Sequence, residues 1–338
     1  MKHSTAFVGI CFGIALLIVG GVFLLFHKKA AGESKDAYKT EFFAMDTLCE
    51  MTLYGSDDTQ DCRMLIERLG KELDRYDEQS EVYKFNTSGS TAFTGNTALL
   101  FDKCGKLYHK YGLVDVTCGG LISLWGITSD SPSVPSDEAI KAELEKVGFD
   151  KLSQSGSTVY SPLGAKLDFG AVAKGYALDK AAELLDEKGI GCAVISLGSS
   201  TLLYGEKPDG EAFKMGVKDP FSPDELILTF ECGEGFVSTS GGYERFFEAG
   251  GERYIHILDL STGRPCNSGL ASVTVIAKSG AESDFLSTAI FIDGKDKLDK
   301  YLADESIQVI AIDEDKNIYY SPSLSEKINL SGNESGGR

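Results

Sequence analysis

Residues 166–185, K-L-D-F-G-A-V-A-K-G-Y-A-L-D-K-A-A-E-L-L, limit what this chain can fold into more than any other stretch. A short apolar segment ending in an acid, Leu167-Asp168, meets a glycine turn at Gly170, and a helix is predicted to begin near Ala173. Ala177, Leu178, Ala181, Leu184 and Leu185 recur at helical spacing, so that helix buries one face. Lys174 falls in its first turn, where the macrodipole favours anions. Something negative has to offset that charge. A phosphate fits, because free backbone N–H groups point out of the same end. An ordinary strand-to-helix connection with a surface lysine accounts for the stretch equally well when it is taken alone.

The length of 338 residues allows one large domain or two lobes. The formal net charge of -18 argues against a nucleic-acid partner, which needs clustered Lys and Arg. The same field repels a phosphorylated substrate, so a site for one requires local cations or a metal. The 8 cysteines include no C-x-x-C pair. Zinc and thioredoxin-like readings therefore lack support, and buried free thiols are expected.

Residues 6–26 form an uncharged apolar run long enough to span a bilayer, with Lys28 and Lys29 just beyond it. The expected organisation is an uncleaved N-terminal anchor over 1–29, a linker over 30–39, a catalytic domain over 40–320 and a disordered tail over 321–338. Strands are predicted around 42–53, 193–197, 271–277 and 307–312, and helices over 61–76, 98–111, 137–147 and 283–291. They interleave without a regular βαβ rhythm, so a single α+β domain with a mixed sheet is favoured over a doubly wound one.

Asp284 and Thr288 sit four apart on a predicted helix, which stacks both side chains on one face. A carboxylate and a hydroxyl are hard oxygen ligands of the kind Mg²⁺ takes, although a capping Asp with a solvent-facing Thr fits the same spacing. His256 is one of 4 histidines and lies on a predicted strand. A neutral imidazole there could serve as a general base, or be a satisfied half-buried histidine. Thr239-Ser240-Gly241-Gly242 suits a phosphate or a target chain. Met45, Tyr76 and Trp125 could stack on a planar ring, or simply fill a core.

Seven segments in order carry a resemblance. They are A-M-D-T from Ala44, D-x-x-S-E-V-Y-K-F-N ending at Asn86, D-V-T-C-G-G-L-I-S-L-W-G from Asp115 and L-D-F-G-A-V-A-K-G-Y-A-L-D from Leu167. S-T-S-G-G-Y from Ser238, H-I-L-D-L-S-T-G-R-P from His256 and S-D-F-L-S-T-A-I-F from Ser283 complete the set. Together, over residues 40–320, the chain resembles the FAD:protein FMN transferases, the ApbE family. That resemblance implies cleavage of FAD at its pyrophosphate, transfer of FMN to a Thr or Ser hydroxyl of a target protein, release of AMP, and use of Mg²⁺. It implies flavin contacts at Met45, Tyr76, Leu113, Val114, Asp115, Asp168, Lys174 and the backbone near Leu258. It assigns the metal to the Ala171 carbonyl, Asp284 and Thr288, and places His256 beside the reacting phosphate, with Asp284 as a second catalytic group. Members are exported and membrane-anchored, which implies an extracytoplasmic catalytic domain on a single-pass anchor and electron-transfer subunits or exported FMN-binding domains as targets. An FAD pyrophosphatase and a non-catalytic, membrane-tethered flavin-binding protein are the alternatives. The chain departs from the family pattern at Leu260, at Ser283 and at Ser199, the last expected to affect a loop on the adenine side.

Overall fold

A computed structural model describes residues 37–330 and, before them, the backbone of Val22–Leu24. Its frame is an eight-stranded sheet. In spatial order the strands are Ile318–Tyr320, Gln308–Asp313, Leu270–Ala277, Gly235–Gly241, Ser200–Gly205, Cys192–Leu197, Thr47–Tyr54 and Ala37–Ala44. Every neighbouring pair is antiparallel. The α+β expectation holds, but the sheet is not mixed in strand direction, because tight hairpins join several neighbours. One of these hairpins corrects the strand predicted across 42–53. Met45 and Asp46 form its two-residue turn, with φ of 51° and 57°. Neither is glycine, so the segment carries no ordinary turn signal.

The sheet is buried on both faces. Cys192–Leu197 is buried throughout, and its alternate residues enter different cores. Ala193, Ile195 and Leu197 pack with the helices Thr59–Glu72, Gly95–Tyr111 and Ala173–Lys188. Cys192 and Val194 pack instead against Phe213, Met215, Val217, Leu228 and Phe230 of a smaller sheet. That sheet pairs Phe213–Asp219 with Ser222–Cys232, and Ser222–Cys232 with Ile328–Leu330. The chain is therefore ordered past 321. Leu324 is fully buried and Ser321 brackets Val309 through two hydrogen bonds of 2.9 Å, so the predicted disordered tail is corrected up to Leu330. Polar composition concealed this, because Leu324 is the one large side chain buried between 321 and 330.

The anchor predicted over 6–26 lies outside the described residues except for Val22–Leu24. That segment pairs as a strand with Met215 to Val217, a pairing incompatible with a helix running to Phe26. Among the described residues no helix is long and apolar enough to cross a membrane. The described cysteines are all free; five are buried, while Cys118 and Cys266 are half-buried.

Candidate active site

The predicted helix near Ala173 is Ala173–Lys188, and the Asp284 helix is Gly280–Asp293. They cross near their first turns at two glycines. A Cβ on Gly175 would lie 2.0 Å from the Gly280 carbonyl oxygen, so only glycine permits the approach. Asp179 fixes the crossing. Its carboxylate accepts from the Gly280 and Ala281 N–H groups at 2.6 and 3.2 Å and from Lys103 at 2.6 Å. An anion at that end also complements the helix dipole.

This crossing aims Asp284, 5% exposed, at the start of the other helix. Oδ2 accepts from the Gly175 N–H at 2.7 Å and Oδ1 from the Ser200 hydroxyl at 2.5 Å. The Gly175 N–H is one of the first-turn donors that find no partner in their own helix, and Asp284 accepts it. The Ala171 carbonyl comes just before the N-cap, Val172, of the same helix. Thr288 lies one turn beyond Asp284, its hydroxyl 3.0 Å from Ser240 Oγ. Carboxylate, hydroxyl and carbonyl are the hard oxygen donors that fit Mg²⁺. Among the described residues no three His, Cys, Asp or Glu side chains gather into a metal cluster.

The S-T-S segment does not offer its hydroxyls to a phosphate. Ser238 bonds Ser283 at 2.7 Å, Ser240 bonds Ser287 at 2.8 Å, and Thr239, pointing to the opposite face, bonds Thr274 at 2.8 Å. Strand alternation thus fastens the strand to the Asp284 helix on one side and to its neighbour on the other. The departure at Ser283 belongs to this seam. The departure at Ser199 lies in the hairpin turn next to Ser200, whose hydroxyl donates to Asp284.

Half-buried His256 is tied to the Arg245 carbonyl by its own N–H at 3.0 Å and by ring Nδ1 at 3.1 Å. A carbonyl only accepts, so Nδ1 carries the proton and Nε2 keeps a free lone pair. Burial, with the charges of Arg245 and Lys174, pushes the imidazole down to about 4, against the pull of that hydrogen bond. The ring is neutral near pH 7. Lys174 forms no ion pair among the described residues, and its charge acts on His256 and on Glu244. Arg245 also donates to the Asp46 carbonyl at 3.2 Å, which brings the Met45 turn to the same region.

The other predicted flavin contacts divide. Asp168 is held by Arg75 at 2.8 Å and by the Gly170 N–H at 2.7 Å. Tyr76 is 65% exposed, with the Arg75 guanidinium 5.2 Å from its ring centre. His256 and Leu258 line a small recess with Ile122, Trp125, Ile127 and Thr128. Trp125 itself is core and donates to the Gly263 carbonyl at 2.8 Å. Val114 is buried, and Leu113 packs against the same core. Asp115 is engaged within the fold: Oδ1 accepts from the Thr117 N–H and hydroxyl, and Oδ2 from the Phe149 N–H. Arg75, Ser200 and Glu244 had no assignment from sequence. Arg75 stands two residues before one of the quoted segments, and its partner Asp168 is 93 residues away.

This is an α+β protein whose oxygen-donor site sits where two helix N-termini cross over an antiparallel sheet. The ApbE family matches residues 45–311, and the chain belongs to that family. It is similar to the FAD:protein FMN transferase of Vibrio cholerae, 31% identical over 244 residues, which are 69% of this chain and 72% of that protein. The Rhodobacter capsulatus FAD:protein FMN transferase is 29% identical over 339 residues, 95% of this chain but 62% of the relative. Among solved structures, the ApbE protein of Thermotoga maritima superposes with a TM-score of 0.79 at 30% identity, covering 85% of this chain and 97% of that one.

Proposed function

We propose that this chain is an FAD:protein FMN transferase. It cleaves the FAD pyrophosphate, attaches FMN through a phosphoester bond to a Thr or Ser of a target protein, and releases AMP. The observation that carries the reading is the buried Asp284 carboxylate, held by Gly175 and Ser200, with Thr288 one turn on and Lys174 and a neutral His256 nearby. The names of the relatives agree with it.

Asp284, Thr288 and the Ala171 carbonyl would hold Mg²⁺, which supplies positive charge against the pyrophosphate oxygens. Lys174 adds a fixed cation at the helix mouth, where an acidic chain would otherwise repel the substrate. His256 offers Nε2 to the target hydroxyl and takes its proton. That oxygen bonds to the FMN phosphorus, and the phosphorus–oxygen bond to AMP breaks with its electron pair leaving on AMP. Met45, Tyr76, Leu258, Asp168 and the backbone of 113–115 would border the flavin nucleotide. Membrane attachment through 6–26, with the catalytic domain outside the cytoplasm, rests on hydropathy and on the resemblance. It requires Val22–Leu24 to leave the small sheet.

Mass spectrometry of an exported FMN-binding domain incubated with this protein, FAD and Mg²⁺ tests the reading. The domain should gain FMN as AMP appears, and Asp284→Ala should abolish both. AMP release without transfer would point to a pyrophosphatase, and an Asp284→Ala protein that transfers normally would remove the site.

A further inference from the structure

The hydroxyls that fasten the strand Gly235–Gly241 to the helix Gly280–Asp293 have fixed proton directions. Each hydroxyl has one proton to give. Ser287, 1% exposed, lies 2.9 Å from the Asp284 backbone carbonyl. That carbonyl only accepts, so the Ser287 proton is spent on it. Ser240 Oγ lies 2.8 Å from Ser287 Oγ, and Ser240 must therefore be the donor of that pair. Thr288 Oγ1 lies 3.0 Å from the same Ser240 oxygen, which has no proton left, so Thr288 donates to Ser240. A helical threonine commonly gives its proton to the carbonyl three or four residues back. Here the carbonyl four back, at Asp284, already receives Ser287. The neighbouring rung obeys the same rule: Ser283 donates to the Gly280 carbonyl at 3.0 Å and accepts from Ser238 at 2.7 Å. Among the described residues that chain ends at Ser238, whereas the Ser240 rung continues to a residue of the candidate metal site.

We propose that Ser240 and Ser287 are positioning residues that keep the Thr288 proton turned into the protein and leave its lone pairs for the metal. The proposal rests on the flavin-transfer reading, which makes Asp284 and Thr288 ligands of Mg²⁺. A hydroxyl that ligates a cation offers a lone pair, and its proton needs an acceptor elsewhere. Ser240 is that acceptor. The sheet thus meets the two ligands with opposite polarity: Ser200 donates to the Asp284 carboxylate, and Ser240 accepts from the Thr288 hydroxyl. Without Ser240 the Thr288 proton is free to turn toward the site, where it opposes a cation. Without the Ser287 hydroxyl, Ser240 is free to donate to Thr288, and the Thr288 proton has to go elsewhere. Ser287 therefore acts on Thr288 through two successive hydrogen bonds, although its own hydroxyl is bonded to Ser240 and to the Asp284 backbone.

The test is a titration of the full chain with Mn²⁺, which takes the same hard oxygen ligands as Mg²⁺, the free ion being read by electron paramagnetic resonance. Ser240→Ala and Ser287→Ala should each raise the Mn²⁺ dissociation constant about tenfold, and Thr288→Val at least as much. Ser240→Thr restores the hydroxyl and should stay within about threefold of wild type. In a Thr288→Val background, either serine-to-alanine change should alter the constant by less than about twofold, because the group it orients is gone. A Ser287→Ala protein within about twofold of wild type overturns the proposal. So do serine effects that persist undiminished in Thr288→Val, or serine variants that lose their cooperative melt in EDTA, since both make the hydroxyls merely structural. A wild-type chain that binds no Mn²⁺ also overturns it. The expected Mn²⁺ pattern in a chain that transfers no FMN to the FMN-binding domain would support the assignment and sink the flavin-transfer reading.

Discussion

Arg75 ties together three segments that are distant in sequence. One nitrogen reaches Asp168 at 2.8 Å, and the other reaches the Gly119 carbonyl and Ser123 hydroxyl at 2.8 and 2.7 Å. The pair is largely buried, so truncating the arginine strands a carboxylate. Arg75→Ala should cost about 3 kcal/mol in urea unfolding. It should also weaken FAD binding about tenfold by fluorescence titration. Unchanged affinity would free Asp168 from any flavin role. That Asp284 and Thr288 share one face of a helix was legible, because four-residue spacing is a local property. The partners of Arg75 and Ser200 were not, because they lie in segments far away in the chain. Asp115 shows the reverse: it lies in a matched segment, yet Thr117 and Phe149 occupy its side chain.

The two helices owe their spacing to Gly175 and Gly280. An alanine at 175 has to push the helices apart or bend one of them, because the obstacle is backbone. Gly175→Ala should destabilise the fold by about 1–3 kcal/mol. Since it also disturbs the N–H held by Asp284, the Mg²⁺ concentration for half-maximal AMP release should rise at least about tenfold. A variant with a normal Mg²⁺ requirement would separate the crossing from the metal site. The turn at Gly170 before the helix was readable in the sequence; the contact of Gly175, inside that helix, with a second glycine 105 positions on was not. The S-T-S segment is similar. Period-two alternation was available, but the helix that receives its serines is a tertiary fact.

At the scale of the molecule, the buried strands were legible as apolar runs, while their spatial order and antiparallel sense were not. Ser321 and Leu324 close the far side from a stretch whose composition is polar, so burial there is set by position and not by hydropathy. The N-terminal run poses the opposite case, strong hydropathy with only Val22–Leu24 described. The full chain is expected to pellet with membranes and resist alkaline carbonate, and a chain lacking 1–29 to stay in the supernatant with its FAD cleavage intact. A full chain that remains soluble would remove the anchor. The hydrogen bond from Gly175 to Asp284 spans 109 residues. A ribosome therefore delivers the Lys174 helix long before the residues that complete the site. Until Gly280–Asp293 has docked, a nascent chain has a helix mouth but no carboxylate in it, and it cannot spend FAD while still being made.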